Sequence, residues 1–236
     1  MSDLLRNEIR NVVGKVFANN DYFDAEKIDK IVKYVEFLKA ENEKKNLVSR
    51  KTTDDEIVNR HILSSLLFVK HILILQKQQK INRICDVGSG SGFPSIICAI
   101  CLPEIYFAVV DSIQKKVDFL YDCGTLLSLK NLECFWGRIE DFGGAGGFRE
   151  TFDMVTARAL GSMEETTELS LPLLRLGGIF MTIKSLAQED EIEKAKNFIK
   201  KVGNECSVAE ELVDESFMVF VKRLIENKEE EKRKRK

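Results

Sequence analysis

The stretch Asp86-Val87-Gly88-Ser89-Gly90-Ser91-Gly92-Phe93-Pro94 decides the fold of this 236-residue chain. Its glycines follow an apolar run at 84–87, which is typical of a buried strand, and they precede helical spacing at 95–102. Glycines let the backbone adopt positive φ and approach a ligand closely, and the start of a helix offers free amides. The stretch therefore predicts a strand–loop–helix unit whose loop binds a ligand at the carboxyl end of the strand.

Two acidic residues near this loop bear on the class of ligand: Asp86 favours one class, and Asp111 supports a nucleoside without deciding between classes. Dinucleotide-binding loops have the spacing G-x-G-x-x-G, whereas this loop has G-x-G-x-G with Asp86 two residues before Gly88. An acid there would oppose a pyrophosphate, and it suits a cationic ligand that carries an amino acid, such as the sulfonium S-adenosylmethionine. Asp111 lies 111 − 92 = 19 residues after the last glycine, where an acid accepts hydrogen bonds from ribose hydroxyls. A nicotinamide-dependent dehydrogenase is the less favoured reading.

Strands and helices alternate from position 82 onward. Apolar runs at 84–87, 105–110, 132–136, 152–157 and 179–183 predict strands, and helical spacing predicts helices at 95–102, 113–129 and 163–174. The runs at 207–213 and 217–223 have no helix between them and predict an antiparallel hairpin at the sheet edge. The pattern predicts an α/β fold with a doubly wound, mostly parallel, seven-stranded Rossmann-like sheet.

The first 80 residues have helical periodicity only. Apolar residues at 28, 31, 32, 35 and 38 form one face, and Thr53 with Glu56 has the pattern of a capping box, as Ser162 with Glu165 has later. We therefore expect a helical region at 1–80, a cofactor-binding α/β domain at 81–224 and a charged tail at 225–236.

The composition excludes several classes of protein. Formal charge is 36 − 38 = −2, with 44% hydrophobic and 31% charged residues, which argues against disordered, collagen-like and disulfide-rich chains. No apolar run approaches the roughly 18 residues of a membrane span, and the first residues lack a signal-peptide pattern. Cys98 and Cys101 have no further ligands nearby, so no metal site is predicted. A cytoplasmic protein without a membrane partner is expected.

Several motifs, in order along the chain, resemble those of one family. They are Asn46-Leu47-Val48-Ser49, Arg60-His61-Ile62-Leu63-Ser64-Ser65-Leu66, the glycine loop with its Phe93-Pro94, Asp111-Ser112 followed by Lys115-Lys116-Val117-Asp118-Phe119-Leu120, Phe152-Asp153, Thr156-Ala157-Arg158-Ala159, and the segment 178–184. As a set they resemble the bacterial small-subunit (16S) ribosomal RNA guanine-N7 methyltransferases, the GidB or RsmG family. Ser64 departs from the family, which usually has Asp there; Ser95 and Ser185 replace usual glycines.

The resemblance implies a class I methyltransferase fold and an enzyme that uses S-adenosylmethionine, yields S-adenosylhomocysteine, and methylates N7 of a guanine in 16S ribosomal RNA. Its partner would be this RNA or the ribosomal subunit, and we expect a monomer. Arg158 would be the catalytic residue and would also contact the cofactor. The other cofactor contacts would be Asp86, Gly88, Gly90, Phe93, Asp111, Ser112, Ile139 and Glu140, and the RNA contacts would be Arg60, His61 and Lys184.

The chemistry of guanine N7 agrees with the residues available. N7 carries an unprotonated lone pair at neutral pH, so methyl transfer to it needs no general base, and catalysis would rest on positioning and charge control. Two other functions stay open: a methyltransferase of small molecules, and a non-catalytic RNA-binding module on the same fold. Arg158 is also compatible with a surface ion pair, and His61 with simple packing on a helix face.

Overall fold

A computed structural model describes residues 2–18, 22–144, 147–201, 204–211 and 215–224. The charged tail expected at 225–236 and the end of the hairpin strand expected at 207–213 lie outside the described residues. The expected division at 80 and at 224 stays a prediction.

Seven strands form one sheet with the order β3-β2-β1-β4-β5-β7-β6. Their bounds are β1 Arg83–Val87, β2 Tyr106–Asp111, β3 Leu132–Trp136, β4 Phe152–Ala157, β5 Leu174–Ser185, β6 Glu205–Glu211 and β7 Ser216–Lys222. Only β7 runs antiparallel to its neighbours β5 and β6; the pairings among β1 to β5 are parallel. The predicted mostly parallel seven-stranded sheet is confirmed. The direction of winding reverses between β1 and β4, and ligands bind at such a point in doubly wound sheets.

Nine α-helices occur in the described part of the chain. They are α1 Ser2–Val16, α2 Ala25–Lys45, α3 Asp54–Glu56, α4 Leu63–Gln76, α5 Ser95–Cys101, α6 Gln114–Leu126, α7 Ile139–Phe142, α8 Met163–Ser170 and α9 Glu189–Lys201. A π-helical segment, Ile57–Ile62, joins α3 to α4. The capping boxes predicted at Thr53 and at Ser162 are both confirmed, with the hydroxyl and the third-position carboxylate each accepting from a backbone amide.

The sheet has a hydrophobic core on each face, because side chains alternate along every strand. Ile84 and Met154 face the core that α1, α2, α4, α5 and α6 cover. Cys85 and Val155 face the other core, on which α8 and α9 pack. The helices of the first 80 residues therefore share one continuous core with a face of the sheet.

Two elements differ from the sequence prediction. The helix expected at 163–174 ends at Ser170, since Pro172 lacks the amide that a continuing helix needs. The following strand β5 is correspondingly longer than the predicted run at 179–183. Helix α9 was not predicted, because only Ile192, Ala195 and Ile199 of its thirteen residues are buried.

The helical stretch Asp54–Gln76 is long and apolar enough to cross a membrane by length and composition alone. However, 67% of its most apolar window is buried inside the protein. Its own residues Leu66, Phe68 and Ile72 are fully buried in the hydrophobic core. The structure therefore makes this stretch a core helix.

Candidate active site

The glycine loop folds over the carboxyl ends of β1 and β2. The amides of Gly88 and Ser89 donate to the carbonyl of Val110, at 2.9 and 3.3 Å. Gly88 and Gly92 have φ of 68° and 95°, in the left-handed region that side chains disfavour. A Cβ on Gly88 would also lie 2.6 Å from the side chain of Leu160. The positive φ at both positions therefore favours glycine, and a Cβ on Gly88 would in addition require the Leu160 side chain to move.

Asp111, at the end of β2, is buried and faces the loop, and its expected contact with ribose stays a prediction. Its Oδ2 accepts a 2.9 Å hydrogen bond from the amide of Gly90, and its Oδ1 accepts one of 2.9 Å from the amide of Ile113. Each carboxylate oxygen has a second lone pair, so the group retains acceptor capacity for hydroxyls. Beside it, the indole of Trp136 is 62% exposed and donates to the carbonyl of Ser112 at 3.1 Å.

Asp86, near the end of β1, is a buried acid with half of its carboxylate unused. It is 1% exposed, and its Oδ1 accepts a 2.7 Å hydrogen bond from Thr156 on β4. Its Oδ2 has no hydrogen-bond partner among the described residues. Burial raises the pKa of this carboxyl to about 6, although the hydroxyls of Thr156, Ser89 and Ser95 and the positive charge of Arg158 oppose the rise. A cation placed at Oδ2 would favour the carboxylate form.

Arg158 follows β4 and brings a positive charge to the same crevice. Its Nη1 donates to the hydroxyl of Ser64 at 2.9 Å, and its guanidinium lies 5.3 Å from the ring centroid of Phe93. Burial lowers its pKa to about 10, so the group remains protonated at neutral pH. Among the described residues it forms no ion pair with a carboxylate. The alternative reading of Arg158 as a surface ion pair therefore does not describe this structure.

His61 lies in the π-helical segment and packs on the same ring. Its imidazole stacks on Phe93 with centroids 5.2 Å apart and an interplanar angle of 21°. Burial, with Arg158 and Arg60 nearby, lowers the pKa of His61 to about 4, so the ring is neutral at physiological pH. Its Nδ1 is buried and has no hydrogen-bond partner within the described residues. His61 thus packs as the alternative reading expects, yet it also lies beside Arg158.

The remaining predicted residues differ in exposure and in their ion pairs. Arg60 and Ser112 are exposed, and Ile139 is partly buried at the start of α7. Glu140 is exposed and forms a 3.0 Å ion pair with Arg138. Lys184 is buried, and its ammonium forms a 3.0 Å ion pair with Glu191. Its expected contact with RNA stays a prediction.

One residue that the sequence analysis did not single out reaches the site from the helical region. Tyr34 of α2 is fully buried and donates from its hydroxyl to the carbonyl of Ser91 at 2.7 Å. Its ring meets Phe93 edge-on, with centroids 5.3 Å apart. A phenol on an otherwise apolar helix face was the available signal, because a buried hydroxyl requires a partner.

The charged groups of this crevice together fit one kind of ligand. The free Oδ2 of Asp86 suits an ammonium group, the unpaired guanidinium of Arg158 suits a carboxylate, and Asp111 suits ribose hydroxyls. S-adenosylmethionine carries all three groups. Within the described ranges, no cluster of His, Cys, Asp and Glu is placed to bind a metal ion.

Comparisons of the sequence agree with this chemistry. Residues 27–218 match the sequence family described as GidB, rRNA small subunit methyltransferase G. A ribosomal RNA small subunit methyltransferase G of Geobacillus sp. (strain WCH70) is 34% identical over 197 residues, which cover 81% of each chain. The protein of the same description from Clostridium kluyveri is 31% identical over 230 residues, covering 96% of this chain and 94% of the relative.

Solved structures share the fold at low sequence identity. A SAM-dependent methyltransferase from Aquifex aeolicus has a TM-score of 0.55 and 14% identity, covering 81% of this chain and 98% of its own. A protein from Klebsiella pneumoniae, described as a putative O-methyltransferase, has a TM-score of 0.53 and 11% identity. The match covers 81% of this chain and 90% of that protein's chain. At these identities the likeness carries the fold alone, and it agrees with the class I methyltransferase architecture.

Proposed function

Because the chain belongs to the rRNA small subunit methyltransferase G family, we propose that its crevice transfers the methyl group of S-adenosylmethionine to N7 of a guanine in 16S ribosomal RNA. The chain is an S-adenosylmethionine-dependent methyltransferase. The observation that carries the site assignment is a pair of groups without a charged partner among the described residues. Oδ2 of Asp86 has no hydrogen-bond partner there, and the guanidinium of Arg158 donates to the neutral hydroxyl of Ser64.

The cofactor would lie along the carboxyl ends of β4, β1 and β2. Arg158 and Asp86 would hold its amino-acid end, and Asp111 would hold its ribose. Ser112, Ile139 and Glu140 would border its adenine. Gly88 and Gly90, both at positive φ, would contribute by letting the backbone approach the cofactor closely.

The proposed methyl transfer needs no general acid or general base. When bound, the sulfonium supplies an activated methyl group, and N7 of guanine supplies an available lone pair. The neutral imidazole of His61 and the protonated Arg158 fit a site that positions two reactants and abstracts no proton. Arg158 would act on the charge that moves from the sulfonium to the base.

The RNA would approach over the exposed side of the π-helical segment. Arg60 is exposed there, and π-helical turns are frequent at functional sites. We propose that the protein acts as a monomer in the cytoplasm on small-subunit RNA or on the assembled subunit. Lys184 remains a candidate contact only if its ion pair with Glu191 opens.

The test is methyl transfer from labelled S-adenosylmethionine to small ribosomal subunits from cells that lack this protein. Cleavage at N7-methylated guanines then locates the label. We expect label at one guanine of 16S RNA. Intact cofactor binding with no label in RNA would indicate a methyltransferase of small molecules. Label at an atom other than N7 would contradict the proposed chemistry.

A further inference from the structure

We propose that Tyr34, on the N-terminal helix α2, is a positioning residue that sets the cofactor affinity of the glycine loop. The inference rests on the proposed function, because it concerns binding of S-adenosylmethionine by this loop. Tyr34 would touch neither cofactor nor RNA, and it would act through Ser91 and Phe93.

The hydroxyl of Tyr34 controls one peptide unit at the centre of the loop. The carbonyl of Ser91 accepts its 2.7 Å hydrogen bond, and the amide of Gly92 in the same peptide unit donates to the carbonyl of Ser89 at 2.8 Å. A peptide unit is planar, so holding both its oxygen and its nitrogen fixes its orientation. The unit Ser91–Gly92 is thus clamped from two sides.

This clamp matters because of what flanks it. Gly90 precedes the unit and Gly92 is part of it, and both have positive φ. Glycine loses more conformational freedom than any other residue when its backbone is fixed. The amide of Gly90 in turn binds Asp111. Loosening the unit would therefore free the loop amides and the Asp111 carboxylate together.

The ring of Tyr34 has a second effect. It meets Phe93 edge-on at 5.3 Å, and Phe93 lies against both His61 and the guanidinium of Arg158. Full burial raises the pKa of the Tyr34 hydroxyl, so it stays protonated and donates its hydrogen bond throughout the physiological range. A single side chain of the helical region thus supports both the loop and the ring beside Arg158.

The chain contains a matched control. Tyr22, from the same helical region, donates from its hydroxyl to the carbonyl of Cys101 at 2.6 Å, at the far end of α5. Removing either hydroxyl deletes one bond from a tyrosine to a backbone carbonyl. Only the bond of Tyr34 reaches the glycine loop.

The experiment compares Tyr34→Phe with Tyr22→Phe by calorimetric titration of the full-length protein with S-adenosylmethionine and with S-adenosylhomocysteine. We expect Kd for both ligands to rise about three- to tenfold in Tyr34→Phe, the range of one net hydrogen bond, and to stay within about twofold in Tyr22→Phe. Both variants should lose similar thermal stability. KM for S-adenosylmethionine should rise in Tyr34→Phe, while kcat at saturating cofactor stays near that of the wild type.

The outcomes separate this inference from the proposed function. A wild type that binds no S-adenosylmethionine would contradict the proposed function. A wild type that binds, with equal Kd in the two variants, would overturn the role of Tyr34. If Tyr34→Phe does not fold, the wild type is titrated in an NMR experiment. The Tyr34 ring signals and the amides of Gly90 and Gly92 should then shift together, and an unshifted Tyr34 would contradict the proposal.

Discussion

The amide of Gly90 donates a 2.9 Å hydrogen bond to Oδ2 of Asp111, so the carboxylate proposed to hold the ribose also holds the glycine loop. Both carboxylate oxygens already accept from backbone amides, since the other oxygen of Asp111 accepts from the amide of Ile113. A ribose hydroxyl would therefore share its acceptor oxygen with a backbone amide. Loss of this carboxylate should therefore disturb the loop as well as the ribose contact.

The first prediction concerns this shared carboxylate. Asp111→Ala should weaken binding of S-adenosylmethionine by at least tenfold, about 1.4 kcal/mol, because both the ribose acceptor and the loop anchor are lost. Calorimetric titration measures the change. Asp118→Ala, which removes an exposed carboxylate from α6, should leave affinity unchanged. Unchanged affinity in a folded Asp111→Ala would remove Asp111 from the site.

Gly88 should tolerate no side chain. In Gly88→Ala the new Cβ meets Leu160 at 2.6 Å and the backbone stays at a positive φ of 68°, so we expect at least about tenfold weaker cofactor binding. Gly124→Ala is the control, since Gly124 lies in helix α6 and its Cβ would have only an ordinary contact at 3.4 Å with Leu132 of β3. That control should bind normally and gain slightly in thermal stability. Equal cofactor affinities in the two variants would argue against a close approach of the cofactor to the backbone at Gly88.

Cofactor affinity should rise with pH through the titration of Asp86. Its folded pKa of about 6 lies above the usual 3.8, so the stability contributed by its bound proton is present at low pH and is lost as pH rises through 6. An ammonium group at Oδ2 favours the carboxylate, so binding should tighten between about pH 5 and pH 7 and release protons. His61 stays neutral in this window, because its pKa is about 4.

Calorimetry in two buffers of different ionisation enthalpy counts the protons released on binding. Asp86→Asn should bind more weakly and lose this pH dependence. If wild-type affinity and proton release do not vary over the window, Asp86 does not meet the ammonium group.

Arg158→Ala should abolish most activity while sparing the fold. Loss of the unpaired guanidinium should reduce methyl transfer at least about a hundredfold, as loss of an electrostatic group at a reacting centre does. Arg83→Ala is matched to it, since Arg83 also lies over an aromatic ring, 4.5 Å from the centroid of Tyr106, but at the amino end of β1. Thermal unfolding checks the fold of both variants. Full activity in Arg158→Ala would exclude a catalytic role.

Arg60→Ala should weaken RNA binding through loss of charge. Its guanidinium is exposed on the π-helical segment, so the slope of log affinity against log salt should fall by about 0.7–1. Lys200→Ala removes an exposed cation from α9, on the opposite face of the sheet, and should change neither affinity nor slope. Equal losses in the two variants would indicate that charge acts without a defined RNA path.

Local sequence patterns predicted the parts of the fold that depend on nearby residues. The loop from Asp86, the apolar strands and the capping boxes all follow from spacing within a few positions. Helix α9 was not predicted from the sequence, because its three buried apolar residues are separated by many charged residues. The end of α8 was misplaced because Pro172 outweighed the apolar spacing beyond Ser170.

Contacts between distant segments could not be predicted in the same way. Tyr34 and Ser91 lie 57 residues apart, and Ser64 and Arg158 lie 94 apart. Neither pair leaves a periodic signal in the sequence. The ion pair that buries Lys184 likewise depends on how α9 packs against the sheet, which the helix pattern alone does not state.

The hydrogen bond from Trp136 to the carbonyl of Ser112 also gives the protein a built-in optical reporter. Trp136 is the only tryptophan of the chain, its ring is largely exposed, and its bonding partner follows Asp111 directly. Arrival of adenosine beside Ser112 would change the polarity around the indole. Intrinsic fluorescence would then follow cofactor exchange in real time, without a label and without RNA.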